Sequence, residues 1–549
     1  MPTVTLNKTV FEKLVGKKLK LDELKDRISM IGTDLEGING NEINVEIFPN
    51  RPDLLSEQGF ARAFSSFIGV KKGLKEYKVE KSGEKIIIDK SVSKVRPFTS
   101  CAIVKNLKFD DEKIREIIQI QEKLHVSYGR NRKKVAIGVY PMEKITFPVK
   151  FLADDPKKIK FQPLEFPREI TGLQILSQHP TGREYGHLLE GLDKFPIFED
   201  AKGEILSMPP IINSHDVGKI SENTTAVFIE CSGFDYNVLA KCLNIIVTAL
   251  ADMGGKIYSL ELNYPDKKII SPDLTPSKMK INSDYVNKRL GLNLKESEIV
   301  ILLAKMGYGF NKKSKSILIP AYRADVLHQI DLVEDIAIAY GYENFDEIIP
   351  KVATIGQESN LEVFKKKIVE LLVGLKLIEL YTYNISNDHV MEKKSFGKKP
   401  IMLANSISEE FNCLRSGMIP SLLDILAHNK HNDYPQHIFD IGTIFTNDSK
   451  EETGVKEQSY LSVALCEDGI NFTKIKQVLD YIFSNLDANY ELKESSNKTF
   501  IVGRSGDISV KGKIIGTIGE LNPEVLSNFQ LEYPVAAFEL NLNLLNNLI

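Results

Sequence analysis

A chain of 549 residues cannot be wrapped around one hydrophobic core. Single cores stop growing near roughly 250–300 residues, so this length commits the chain to about three or four packed parts. Hydrophobic residues make up 42% and charged residues 26%, as in ordinary soluble domains. The longest apolar stretch, within residues 227–253, is broken by Glu230, Asp235 and Lys241. A membrane span needs about 18 or more apolar residues in a row, so none is expected. The start, MPTVTLNKTVFEKLVGKKLK, has neither an apolar h-region nor a small-residue cleavage site. No secretory signal is therefore expected, and the cytoplasm is the expected location.

Apolar periodicity and turn signals divide the chain into four segments of an α+β multidomain protein. In residues 1–88, LDELKDRISMIG has helical spacing and stops at Gly32. VEIFPNRPDLLSEQGFARAFSSFIG reads as strand, turn over Asn50–Asp53, and helix with Leu55, Phe60 and Phe64 inward. A lysine- and glutamate-rich linker is expected to close this segment. Residues 89–268 are strand-rich, with RPFTSCAIVKNLKF, KKVAIGVYP and two strands within Gly203–Asp235. HPTGREYGHLLEG reads as turn-rich, and YNVLAKCLNIIVTALADMGG as a helix ended by Gly254. Residues 270–350 alternate short strands with helices that run into glycine. Residues 355–549 open with the amphipathic LEVFKKKIVELLVGL and then alternate helices with β-branched strands. No internal repeat or low-complexity tract is present.

A net charge of −3 is unlike that of a generic nucleic-acid binder, whose affinity comes largely from phosphate neutralisation. Any RNA contact must use local patches such as GRNRKK (129–134) or VKKGLKEYKVEKSGEK (70–85), which are otherwise solvated faces. Cys101, Cys231, Cys242, Cys413 and Cys466 are scattered and include no C-x-x-C pair. That excludes a zinc knuckle and makes them buried thiols rather than a disulfide framework.

Two groups of acids carry chemical interest. Glu230 interrupts the apolar run VFIEC. Either it alternates outward to water, or it waits for a partner, because an unpaired buried charge costs roughly 3–5 kcal/mol. Asp331, Glu334 and Asp335 stand at i, i+3 and i+4 on one face of a first helical turn, with Asp325 in the preceding loop. Such hard oxygens suit Mg²⁺. The same pattern is equally a helix cap.

Four stretches, taken in order, resemble the modules of phenylalanyl-tRNA synthetase β subunits. NRPDLLSEQGFARA is similar to the N-terminal module. SMPPIINSHDVGKISENTTAVFIECSGFD is similar to the core of the B3/B4 editing domain. LTPSKMKINSDYVNKRLGLNL through IPAYRADVLHQIDLVEDIAIAYGYENF resembles the B5 module. LRSGMIPSLLDILAHNKHNDYPQHIFDIGTIF and GKIIGTIGELNPEVLSNF resemble the catalytic-like C-terminal module. The length fits the archaeal/eukaryotic type, since bacterial homologues carry an added OB fold and an anticodon-binding module.

This resemblance implies an N-terminal module (1–88), an editing domain (89–268), a winged-helix-like B5 module (270–350) and a class II synthetase-like antiparallel sheet (355–549). It implies an α subunit that binds ATP and phenylalanine in a heterotetramer of two α and two β chains, with tRNA(Phe) as substrate. It places Ser207, Asn213 and Glu230 in a pocket that clears Tyr-tRNA(Phe), with Ser232 and the His179–Gly182 loop as weaker members. His179 and His215 are candidate bases there, although positioned polar groups and the ribose hydroxyl suffice to hold a water. It also implies Mg²⁺ on Asp325, Asp331, Glu334 and Asp335, the last standing where glutamate is common.

Physical chemistry supplies reasons for this division of labour. An apolar phenylalanine pocket rejects an added hydroxyl by only about 10²-fold, whereas a site that hydrogen-bonds the phenol reverses the preference by about 10⁴ or more. Adenylation needs fixed cations on triphosphate. Beyond residue 355 the only arginines are Arg415 and Arg504, neither in an F-R-x-E context, and FDIGTIF offers Asp440 instead. The adenylation site is therefore expected to be lost, with both arginines structural or on a rim. Two rivals remain: an RNA-binding or regulatory relative without proofreading, and a Mg²⁺-dependent phosphotransferase. The second fails because GKKP (397–400) lacks the rest of a phosphate-cradling loop.

Overall fold

The strand patterns of the second segment assemble into one ten-stranded sheet in this computed structural model. The structure describes residues 2–349 and 356–549, and the chain divides into two units, Met1–Ile349 and Pro350–Ile549.

In the first unit, the strands Thr3–Asn7, Glu42–Glu46 and Asp34–Asn39 pair in that order. Phe11, from the helix Lys8–Val15, packs on Phe60 and Phe64 of the helix Glu57–Phe67, with ring centroids 5.8 and 5.3 Å away. The NRPD turn tightens into a short 3₁₀ helix, Pro52–Leu54, and Ser56 caps the helix that follows.

The large sheet runs in the order Ile212–Asn213, Ile205–Met208, Phe195–Glu199, Val149–Asp154, Val79–Ile88, Lys256–Asn263, Phe98–Lys105, Ala226–Gly233 and Val135–Pro141. The tenth strand, Lys268–Ser271, pairs beside Lys256–Asn263. The helix Tyr236–Asp252 covers one face and is buried along most of its length.

Three expectations change here. Val79–Ile88 is a sheet strand, parallel to Lys256–Asn263 and Val149–Asp154, rather than the end of a linker. Its charged residues mask a half-buried alternation that turns Ile86 and Ile88 inward. The sheet domain therefore takes in residues assigned to the N-terminal module, and the strand Lys268–Ser271 straddles the expected 268/270 boundary. HPTGREYGHLLEG is helical, not merely turn-rich: Pro180 opens the helix Pro180–Tyr185, and a 3₁₀ turn follows at Gly186–Leu188. Proline's fixed φ suits a first helical position.

The third segment builds a small sheet, in the order Ser277–Met279, Ser316–Ile319, Gly309–Asn311, with the helices Ser283–Leu290, Glu296–Lys305 and Gln329–Tyr340. One hydrophobic core runs from Val4 through Leu243 to Ala339, so these three segments are packed together.

The second unit centres on a seven-stranded sheet, in the order Ile378–Leu380, Gln436–Asn447, Val455–Cys466, Val535–Asn541, Lys513–Leu521, Phe500–Val510, Glu491–Glu494. All neighbours are antiparallel except the first pair. Alternate residues serve opposite faces. Phe439, Val463 and Phe538 pack under the helices Asn360–Gly374, Phe472–Asn485 and Leu542–Leu548. Ile438, Ala464 and Ala537 pack under the helix Ile419–His428. All five cysteines are buried and free. Among the described residues, no helix is long and apolar enough to cross a membrane.

Candidate functional site

Glu230 lies in the strand Ala226–Gly233, paired on one side with Cys101 and on the other with Gly138. Both faces of this strand are covered, so the alternation that would have sent the acid to water does not operate. Glu230 is 2% exposed. Its Oε1 accepts from the Tyr140 hydroxyl at 3.2 Å, while Oε2 is buried without a partner. Burial pushes the carboxyl up to about 8, against the opposing pull of the Arg96 guanidinium. Arg96 is itself buried, which pushes it down to about 10. It donates to the carbonyl of Ser232 at 2.6 Å and to its Oγ at 3.1 Å. Ser232 is thus committed to a buried cation.

Gly138 makes this arrangement possible. A Cβ there would fall 2.1 Å from the Tyr140 hydroxyl. Without it, the Tyr140 side chain folds back over its own strand and reaches Glu230. The same hydroxyl lies 3.4 Å from Asn213 Oδ1.

Ser207, Asn213 and Glu230 meet on one cavity of about 140 Å³, together with His125, Arg132 and Ile211. That is about ten times the room one water needs, so the space suits an organic group. Ser207 and Asn213 face each other across paired strands at one end of the sheet order, while Glu230 and Tyr140 belong to the two strands at the other end. The sheet therefore curls until its ends approach, and the cavity lies at that seam. Three buried side-chain atoms on its lining have no partner: Glu230 Oε2, Ser207 Oγ and Arg132 Nε. Buried polar atoms are seldom left so, and their convergence marks a place for a ligand with polar groups of its own.

Arg132 belongs to the basic GRNRKK stretch, but it turns inward. It donates to the carbonyls of Pro210 (3.3 Å) and Ile211 (2.8 Å) and lies 4.4 Å from the Tyr185 ring centroid. His125 Nε2 accepts from the Ile137 amide at 2.8 Å, and Nδ1 lies 3.3 Å from Glu122. Burial holds its pKa down, so the ring is a neutral brace. Neither histidine considered from sequence lines the cavity. His179 caps the helix Pro180–Tyr185 through Nδ1, with Nε2 3.1 Å from the Leu164 carbonyl. His215 is exposed.

The sequence reading did not find Tyr140, Arg132, His125 or Arg96. One signal was present: a glycine inside the apolar strand VAIGVYP, the kind of position where another group approaches the backbone.

The four acids considered for Mg²⁺ are not gathered into a binding site. Asp325 is held bidentately by Arg323 at 2.8 and 2.7 Å, and Asp335 takes Arg323 at 2.8 Å together with the Tyr308 hydroxyl. Asp331 accepts the Leu327 and His328 amides, both at 2.7 Å, as the cap of the helix Gln329–Tyr340. Glu334 is exposed. A guanidinium bridges two of the four carboxylates, so this donor set does not fit a divalent cation. Among the described residues, no group of three or more such ligands converges.

Two family models match the chain: "Phenylalanyl tRNA synthetase beta chain CLM domain" over residues 346–542 and "tRNA synthetase B5 domain" over 279–342. The phenylalanine–tRNA ligase β subunit of Archaeoglobus fulgidus is 39% identical over 552 residues, covering 99% of this chain and 98% of that one. The corresponding subunit of Thermococcus kodakarensis is 38% identical, with 98% of each chain covered. A crystal structure of an N-terminal fragment of the Pyrococcus horikoshii phenylalanyl-tRNA synthetase β subunit matches with a TM-score of 0.59 at 37% identity. It covers 62% of this chain and 99% of the fragment.

Proposed function

Because the chain belongs to the phenylalanyl-tRNA synthetase β-subunit family, we propose that its seam cavity hydrolyses tyrosine wrongly esterified to tRNA(Phe). The observation that carries this reading is that Glu230 Oε2 and Ser207 Oγ, both without a partner, belong to the lining of one cavity. A tyrosine side chain brings one hydroxyl, able to donate and to accept, to these unpaired atoms. Phenylalanine brings none and would leave the same atoms bare. A site of this kind discriminates by about 10⁴ or more. A carboxyl at about pKa 8 is largely neutral at pH 7. Its Oε1 already accepts from Tyr140, so the Oε2 hydroxyl is the group left to meet the phenolic oxygen.

In the reaction, water adds its oxygen to the acyl carbon, and the ribose oxygen leaves carrying a proton. His125 has its Nε2 occupied, so no general base is assigned on this cavity. The chain's contribution is position: the phenol is fixed at one end, and the ester is presented to a water held by the neighbouring ribose hydroxyl. Editing, tRNA binding and an α-subunit partner form one reading, with two α and two β chains and with ATP and phenylalanine bound by α.

The test is deacylation of Tyr-tRNA(Phe) and Phe-tRNA(Phe) by the purified complex. Wild type is expected to clear the tyrosyl ester selectively, and Glu230→Ala to lose roughly 100-fold or more of that preference. A wild-type complex with no tyrosyl clearance would favour a non-editing relative, and undiminished clearance by Glu230→Ala would remove Glu230 from the mechanism.

The C-terminal unit supports the other half of the reading. Arg415 is 1% exposed, with Nε, Nη1 and Nη2 given to Thr443 O (2.7 Å), Thr382 Oγ1 (2.6 Å) and Asn384 Oδ1 (3.1 Å). Arg504 pairs with Glu520. Arg415 is thus committed inside the fold, and Arg504 stands in an exposed surface pair rather than in a buried site.

A further inference from the structure

The first unit holds a second cavity that shares no lining residue with the first. Its volume is about 420 Å³, within the roughly 300–1,000 Å³ typical of small-molecule sites. Six cations line it, Arg51, Arg62, Arg323, Lys71, Lys72 and Lys75, against two carboxylates, Asp53 and Asp252.

Arg51 and Arg323 are buried, Arg62 is nearly so, and each is anchored. Arg51 holds Asp53 bidentately at 2.9 Å, Arg62 meets Asp252 at 2.5 Å, and Arg323 meets Asp325 and Asp335. Anchoring fixes their geometry and leaves specific valences open. Arg323 Nη1 is buried with no acceptor, and Gln58 Oε1, on the same lining, is buried with no donor. A buried guanidinium hydrogen without an acceptor is costly. With Asp325 and Asp335 counted behind Arg323, six cations meet four carboxylates, and the surplus of two positive charges that lies on the lysine rim suits an anionic acceptor.

We propose that this cavity binds a small phosphate monoester, with its phosphate oxygens on Arg323 Nη1 and the lysine rim and a hydroxyl of the ester on Gln58 Oε1. A phosphate answers the surplus charge with up to two negative charges and offers several acceptors to fixed donors. A volume of about 420 Å³ suits a phosphorylated sugar rather than a polymer strand. Bare phosphate would leave most of the space empty.

The experiment uses the complete complex with the α subunit. Crystals are soaked with tungstate, a phosphate mimic located by its anomalous signal, with and without excess ribose 5-phosphate. An anomalous peak within hydrogen-bond reach of Arg323 Nη1, displaced by ribose 5-phosphate, is expected. In solution, calorimetric titration should show ribose 5-phosphate binding more tightly than inorganic phosphate, and the Lys71→Gln/Lys72→Gln double variant binding it at least tenfold more weakly. Those lysines are exposed, so the variant tests the site without disturbing the buried arginines. The proposal is overturned by no peak in the cavity, by a peak that ribose 5-phosphate leaves in place (an adventitious ion only), or by unchanged affinity in the double variant. Inorganic phosphate binding as tightly as the ester overturns the ester assignment. Binding of single-stranded RNA but of neither small phosphate overturns the small-molecule reading.

Discussion

A carboxyl buried inside a sheet must be neutralised by a proton or answered by a charge. Burial raises Glu230 from the ordinary glutamate value of 4.5 to about 8. Between those values the folded chain keeps a proton that the unfolded chain has lost. The stabilisation is therefore complete below about pH 4.5 and lost as pH rises through about 8. Urea midpoints of the first unit should fall between pH 5 and pH 8.5, and fall less in Glu230→Gln. Part of the slope should persist, because Glu57 is also pushed up to about 8 by burial, with Glu116 adding to it. Gly138→Ala sets a Cβ against the Tyr140 hydroxyl. It should cost about 1–3 kcal/mol by overpacking and cut tyrosyl clearance without touching Glu230, as paired denaturation and deacylation assays would show. The acid in VFIEC was legible because carboxylates are rare in such strands. Its companion Tyr140 was not, since that contact depends on register with a strand far away in sequence.

At the scale of elements, periodicity located the helices and most strands, and it failed where charge hid alternation. In Val79–Ile88, lysines and glutamates occupy the solvent-facing positions so densely that the segment reads as a linker. Only its pairing with Lys256–Asn263 and Val149–Asp154 makes it a strand. The four acids read as Mg²⁺ ligands illustrate a related point, since Arg323 pairs with two of them in this fold. Spacing on a helix says which acids share a face, but it says nothing of an arginine arriving from the preceding loop. In the second unit, Arg415 ties the strand Gln436–Asn447 to the segment at Thr382–Asn384. Arg415→Ala should destabilise this unit by roughly 3–5 kcal/mol, because buried Asp440 would lose its countercharge 3.7 Å away. Gly442→Ala, which sets a Cβ 1.9 Å from Arg415 Nη2, should act in the same direction. Urea titration followed by circular dichroism would test both.

For the molecule as a whole, the succession of a B5 module and a C-terminal module was legible from motif order, whereas the sharing of one core by the first three segments was not. That core joins residues more than three hundred positions apart, and no local pattern announces such contacts. The proposed division of labour, with editing in the first unit and no adenylation in the second, leads to a simple expectation. The purified chain without its partner should show no phenylalanine-dependent ATP–pyrophosphate exchange above background, and measurable exchange would refute the loss of adenylation. The curl of the ten-stranded sheet has a consequence of its own. The pocket's two lips are the first and last strands of one continuous ribbon, so its mouth can widen only if every intervening strand pair flattens a little. The width of the cavity is thus set by the bend of the entire ribbon, and residues on its outer surface, remote from the cavity, help set the calibre.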